Sequence, residues 1–148
     1  MNIRKAKPGD REAWAALRSR LWPDSASLHI RDLEDYFAGK SVDVVQAYVL
    51  ESDAGDLTGF IELNIRNYAE GSRSPRIPYI EGWYVAESCR GKGYGRKLIR
   101  VAEQWALKQG YRELASDAEL ANHESIAIHE RLGFEETERV VCFLKKLK

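Results

Sequence analysis

Arg90-Gly91-Lys92-Gly93-Tyr94-Gly95 decides how the rest of this 148-residue chain is read. Just upstream, Tyr79-Ile80-Glu81-Gly82-Trp83-Tyr84-Val85 is aromatic and β-branched with one acid in its middle, the composition of a buried strand. Downstream, Tyr94, Leu98, Ala102, Trp105 and Ala106 recur every three or four residues, which predicts a helix with one apolar face. Three glycines in five positions permit a sharp turn and a close backbone approach to a ligand. Successive amide N–H groups at a helix start, where the helix dipole favours negative charge, attract an anion. Arg90, Lys92 and Arg96 surround that point with positive charge. The stretch predicts a phosphate- or pyrophosphate-holding loop. A plain basic turn or a nucleic-acid contact is the competing reading.

Spacing narrows the ligand. A nucleotide triphosphatase loop needs Gly, four residues, then Gly-Lys-Ser/Thr, and the chain has no such string. The dinucleotide fingerprint needs Gly-x-Gly-x-x-Gly, whereas Gly91, Gly93 and Gly95 alternate.

The remaining composition bounds the answer. The length suits one domain, residues 1–148, able to bury most of its apolar surface. With 23 basic residues against 23 acidic ones, overall charge gives no reason to expect nucleic acid or a membrane surface as partner. Cys89 and Cys142 are too few for a disulfide framework, and no Cys/His cluster has metal spacing, so no metal is expected. Without an apolar leader at Met1–Lys5 or a membrane-length apolar run, the expectation is a soluble, cytoplasmic protein.

Periodicity and breakers predict ten elements. Asn2 to Lys7 reads as a strand ended by Pro8-Gly9, and Asp10 as the N-cap of a helix to about Leu21. A second helix runs from near Ser27 to Ala38, before Gly39. Val42 to Glu51 and Leu57 to Tyr68 are strands joined by a turn at Asp53–Asp56, with Leu57, Gly59, Ile61, Leu63 and Ile65 on one face. Ala69 to Pro78 is a loop. After the central strand, loop and helix come a strand at Tyr111–Asp117, a helix from about Asn122 to Leu132, and a final strand at Glu138–Leu147. The order β-α-α-β-β-β-α-β-α-β is an α/β fold with a mixed sheet.

Arg-x-x-Gly-x-Gly between a strand and a helix resembles the coenzyme A pyrophosphate loop of the GNAT superfamily of N-acetyltransferases. Val85-Ala86-Glu87-Ser88-Cys89-Arg90 fits that family's lead-in, with Glu87 where a proline is common. Leu21-Trp22-Pro23, Glu81-Gly82-Trp83-Tyr84-Val85, Ala115-Ser116-Asp117-Ala118 and the run His129 to Glu138 extend the likeness to nearly the whole chain. Together they resemble the chromosomally encoded aminoglycoside 6'-N-acetyltransferases. The resemblance implies the GNAT fold, a single domain whose mixed, mostly antiparallel sheet is flanked by helices. It also implies acetyl-CoA as cosubstrate, a polycationic small-molecule amine as acceptor, and a homodimer whose C-terminal region helps shape the partner's pocket.

Acetyl transfer from a thioester to an amine needs a neutral amine, a donor to the carbonyl oxygen and a proton for the departing thiolate. By resemblance, the backbone of Trp83, Tyr84 and Val85 binds the thioester and pantetheine arm, and Arg90 to Arg96 the pyrophosphate. Trp83 and Val85 read equally as core residues. Glu81 is a carboxylate inside an apolar strand, costly to bury unless paired, and so a candidate to bind or deprotonate the acceptor in a cleft. The alternative is a solvated strand-edge acid. Five acids and no Lys or Arg between Glu113 and Glu130 suit a polycation, or else an ordinary wet helix face. Asp117 and Glu136 match substrate-binding acids of the resembled family, and Trp22 and Tyr68 its aromatic and hydroxyl contacts; Trp22 could equally be packing. Glu70 is a further acid in the loop. Asn122, Ser125 and His129 share one helix face. In the superfamily that face meets the coenzyme A arm, with Asn on pantetheine. His129 stands where a Tyr often donates a proton to the thiolate; a structural histidine is the other reading.

The resemblance implies aminoglycoside 6'-N-acetylation in a ternary complex without an acyl-enzyme as the first reading. Acetylation of polyamines, small amines or protein amino groups is the alternative, and a catalytically silent acetyl-CoA-binding module is disfavoured by the retained Glu81, Asp117 and Glu136.

Overall fold

The computed structural model describes all 148 residues. In chain order it contains β1 (Asn2–Lys5), α1 (Arg11–Leu21), α2 (His29–Phe37), β2 (Gln46–Glu51), β3 (Leu57–Arg66), β4 (Ile77–Val85), α3 (Tyr94–Lys108) and α4 (His123–Arg131). The four strands form an antiparallel sheet in sequence order.

Strand alternation sorts the sheet into two faces. Val49, Phe60 and Tyr84 lie opposite one another in register and bury against Trp14, Leu17 and Leu33 of α1 and α2. Ile61, Leu63 and Ile80 bury on the other face against Leu98, Ile99 and Ala102 of α3. Trp14 meets Tyr36 and Phe37 edge-on at 5.5 and 5.9 Å. Truncating such a buried Trp to Ala typically costs about 3–5 kcal/mol, so this cluster ties the helical pair to the sheet.

Two expected strands are corrected. Tyr111–Asp117 reduces to one parallel bridge, Tyr79 to Ala115, with Ile80 N–H on the Ala115 carbonyl and Ala115 N–H on the Pro78 carbonyl, each at 2.9 Å. Beyond Ala115 the two segments diverge. Glu138–Leu147 forms no strand; Val141, Phe143, Leu144 and Leu147 are exposed, Phe143 at 92%. Its alternating side chains all stay exposed in the single chain, so nothing buries them as a strand face.

Smaller departures have local causes. Asp10 precedes α1 but caps nothing there; its carboxylate accepts two hydrogen bonds from Arg4 and one from the Lys7 N–H. Pro23 directs Pro23–Leu28 into a 3-10 turn, so α2 starts at His29. Residues 42–45 stay out of β2 because Ser41 Oγ accepts the Asp43 and Val44 N–H groups in a local turn.

Candidate active site

The site is built around a defect in the β3–β4 ladder. Glu62 pairs with Gly82 and Leu63 with Ile80, so Glu81 is the extra residue of a β-bulge. A bulge re-aims the side chain it carries. β4 is also the last strand of the sheet, and after the Tyr79–Ala115 bridge its outer edge from Glu81 to Val85 has no backbone partner.

The glycine loop follows at the end of that edge. Gly91 and Gly93 adopt φ of +76° and +85°, the left-handed region that costs a residue with a side chain, and Gly93 is the N-cap of the 15-residue α3. Nothing lies within 4 Å of a Cβ built on either glycine, so the loop is open to solvent. Lys92 and Arg96 are exposed beside it, and Tyr94 opens the helix. Arg90 folds back, its Nε donating to the Val85 carbonyl at 2.7 Å and its guanidinium lying 5.3 Å from the Tyr84 ring centre. Gly95 lets Trp83 pack close: a Cβ there would stand 3.2 Å from the indole. The Trp83 Nε1–H is buried without a partner. Free amides, cationic side chains and an unmatched donor beside an open strand edge suit a phosphorylated ligand with a polar arm.

Acids gather at the bulge. The Glu81 side chain is 16% exposed and receives Arg66 Nε at 2.6 Å and Arg66 Nη2 at 3.0 Å. Burial pushes its carboxyl above the ordinary range against the pull of Arg66, and Asp43 and Asp117 push the same way. The Arg66 guanidinium also lies over the Tyr79 ring at 3.6 Å, and Tyr79 donates its hydroxyl to Asp117 at 2.8 Å. Burial and this bond to an acid hold the phenol's pKa far above normal. Glu81 and Asp117 thus belong to one connected polar group, although their sequence positions are 36 apart.

Behind the bulge, Trp22 rests on the face of Gly82, where a Cβ would stand 2.5 Å from its ring. Its ring also neighbours His29, Phe60 and the Arg18 guanidinium. Arg18 Nη2 is 3.2 Å from the fully buried Glu62, close enough for attraction but out of line for a hydrogen bond. Desolvation dominates and raises the Glu62 carboxyl to about 7.

The other expected substrate residues are dispersed. Tyr68 is 63% exposed just past β3. Glu136 lies in the exposed C-terminal segment, ion-paired with Arg139. Its neighbour Thr137 abuts Gly71, which brings this segment against the loop after Tyr68.

On α4, Asn122 is the N-cap, its Oδ1 accepting the Ser125 N–H at 3.0 Å. His129 packs edge-on against Trp83 at 5.5 Å and Phe134 at 5.2 Å. Its Nδ1 is 2.7 Å from the Ser125 carbonyl and 3.4 Å from Ser125 Oγ, and its Nε2 is 2.8 Å from Ser116 Oγ. Both ring nitrogens are engaged within the protein.

The acetyltransferase (GNAT) family profile matches residues 12–134. The chain belongs to the GNAT family. Within it, the chain is 40% identical over 147 residues to an aminoglycoside N(6')-acetyltransferase type 1 of Stenotrophomonas maltophilia, covering 99% of this chain and 94% of that one. It is 36% identical over 146 residues to the same-named protein of Klebsiella aerogenes, covering 98% and 96%. The crystal structure of an aminoglycoside 6'-N-acetyltransferase from Acinetobacter haemolyticus superposes over the full length of both chains with a TM-score of 0.89 at 36% identity. That of AAC(6')-Iy with the bisubstrate analog CoA-S-monomethyl-acetylneamine gives 0.88 at 33%, covering 99% and 98%.

For a GNAT protein the glycine loop and the lone acid of its strand were legible in sequence, without the bulge. Arg66, Tyr79 and Ser116 were not. Each is an ordinary strand or loop residue until the fold brings it to Glu81, Asp117 or His129. In this GNAT chain no helix is long and apolar enough to cross a membrane, and no three His, Cys, Asp or Glu residues come together as a metal-holding group.

Proposed function

We propose that this chain is an acetyl-CoA-dependent aminoglycoside 6'-N-acetyltransferase, a single GNAT domain spanning residues 1–148 that confers antibiotic resistance. The carrying observation is Glu81: a half-buried acid with a raised carboxyl, set by a β-bulge beside an unpaired strand edge. The relatives' activity and their complex with a CoA–aminoglycoside bisubstrate analog support the same assignment.

Acetyl-CoA supplies an acetyl group activated as a thioester. Gly91, Lys92, Gly93, Tyr94 and Gly95 hold its pyrophosphate through backbone amides, and Arg90 and Arg96 add charge. The edge of Trp83, Tyr84 and Val85 takes the pantetheine arm and donates N–H to the thioester oxygen. Asn122 and Ser125 bind from α4; the Asn122 amide N–H groups are free because only its oxygen caps the helix. Trp22, Tyr68, Asp117 and Glu136 hold the polycation. Glu81 binds the ammonium and takes its proton, directly or through water, and the neutral amine attacks without an acyl-enzyme. Neither cysteine sits with a histidine: Cys89 Sγ has only Ser88 nearby at 3.8 Å, and Cys142 lies exposed in the tail.

A homodimer accounts for the exposed Val141, Phe143, Leu144 and Leu147, in the segment that also carries Glu136. The reading carries no metal, nucleic acid or membrane, and a cytoplasmic location. Thiol release from acetyl-CoA should be fastest with kanamycin-type aminoglycosides. Equal rates with spermidine or a basic peptide would transfer the assignment to other amines.

A further inference from the structure

We infer that Ser116, a residue given no role so far, is the catalytic proton donor to the departing thiolate, recharged by His129. The inference rests on the acetyl-transfer reading and concerns its second half, the fate of the sulfur.

Position comes first. The Tyr79–Ala115 bridge is the last rung between β4 and the 115 segment, and Ser116 is the next residue, where the two begin to part. Ser116 therefore stands at the head of the opening whose other wall is the β4 edge of Glu81 to Val85. Its hydroxyl reaches His129, and His129 packs on Trp83 of that wall.

The hydrogen-bond partners then assign directions. The Ser125 carbonyl can only accept, so His129 Nδ1 carries a proton and donates to it at 2.7 Å. With Nδ1 committed, Nε2 faces the Ser116 hydroxyl at 2.8 Å and nothing else. When the ring is protonated, Nε2–H donates to Ser116 Oγ and turns the serine O–H outward. His129 then has no N–H of its own to offer the sulfur. Any proton it supplies passes through Ser116.

The step balances. As the C–S bond breaks, its electron pair goes to sulfur, which takes the Ser116 O–H proton. The serine oxygen takes the His129 Nε2 proton, and the ring ends neutral with Nδ1 still bonded to Ser125. One proton returns to His129 from solvent before the next cycle. The acceptor nitrogen gives up two, one to Glu81 before attack and one to solvent as the tetrahedral intermediate collapses, so each turnover yields the thiol and one net proton.

The test compares S116A, S116T and H129Q by single-turnover acetyl transfer to whichever amine the wild type uses, beside calorimetry with CoA and ¹⁵N imidazole spectra of the free proteins. S116A should slow the chemical step on the order of a hundredfold, the scale of general-acid catalysis. S116T should recover most of the rate, and S116A/H129Q should be no slower than S116A alone. CoA affinity should stay within about twofold of wild type, the change of a group that acts on the transition state alone. The His129 Nε2 resonance should move in S116A and return in S116T. A wild-type rate in S116A, a multiplicative double mutant, or an unmoved Nε2 resonance overturns the relay. If S116A does not fold, an H129Q protein with a normal single-turnover rate overturns it by itself. A wild type that acetylates no aminoglycoside but turns over another amine sinks the acceptor assignment and leaves the relay measurable.

Discussion

Arg66 grips Glu81 at two points across the β-bulge, so the candidate base is already charge-matched before any amine arrives. An incoming ammonium must share or displace that guanidinium, while Asp43 and Asp117, by repelling the carboxylate's negative charge, press it toward taking up a proton. Glu81→Gln keeps the shape and a hydrogen-bonding end but cannot take a proton. It should lower acetyl transfer at least roughly tenfold, within the range of general-base effects, in a steady-state assay at saturating acetyl-CoA. Near-normal turnover would remove Glu81 from the mechanism.

Arg66→Leu tests the partner. Arg66 draws the Glu81 carboxyl down while burial raises it, so deleting the cation raises it further. The base works only when ionised. The acidic limb of the kcat/KM profile should therefore move to higher pH in R66L, with activity at the alkaline plateau least affected. A limb that stays in place, or moves to lower pH, contradicts the pairing.

Gly82→Ala probes the seat of Trp22. The added methyl would stand 2.5 Å from the indole and 3.1 Å from Glu62 Oε2, so the ring must shift. Overpacking of this kind costs about 1–3 kcal/mol of stability. If Trp22 contacts the acceptor, KM for the aminoglycoside should rise several-fold while CoA affinity by calorimetry is unchanged.

Glu62 makes stability depend on pH. Its carboxyl titrates at about 7 in the fold against 4.5 ordinarily, so between these values the native state binds more protons than the unfolded one. Stability then falls as pH rises through that window, by on the order of 3 kcal/mol for this residue. Chemical denaturation at pH 5 and pH 8 should show the decline in wild type and a flatter response in Glu62→Gln.

The proposed dimer can be checked from its tail. Phe143→Asp with Leu144→Asp places two charges among side chains that are now 92% and 90% exposed. Sedimentation should change from dimer to monomer. KM for the aminoglycoside should rise with it, because Glu136 belongs to the same segment. A wild type that itself sediments as a monomer would remove the dimer.

Local rules accounted for most of the fold. Period-two and period-3.6 apolar patterns bounded by glycine located β1 to β4, α3 and α4 because those patterns are the burial requirement itself. They failed where an element depends on what it meets. Tyr111–Asp117 reads as a strand by its place after Gly110 and the helix, yet β4 pairs with it at one residue only. Glu138–Leu147 alternates well and still joins neither outer strand, although the border of β4 past Ile80 is open. At the site, glycine spacing and a lone acid in an apolar strand pointed to the loop and to Glu81. The residues that tune them carry no local mark: Arg66 is a polar strand end, Tyr79 a strand aromatic and Ser116 a small residue after a bridge.

The bare border of β4 has a practical consequence. Unclaimed backbone donors beside Trp83 and Tyr84 are the sort of seam along which folded proteins stack into insoluble material. A pantetheine arm lying along that border would shield it, so the substrate would double as a solubilising agent. Concentrated stocks kept with CoA should stay clear longer than stocks without it, and light scattering over days would record the difference.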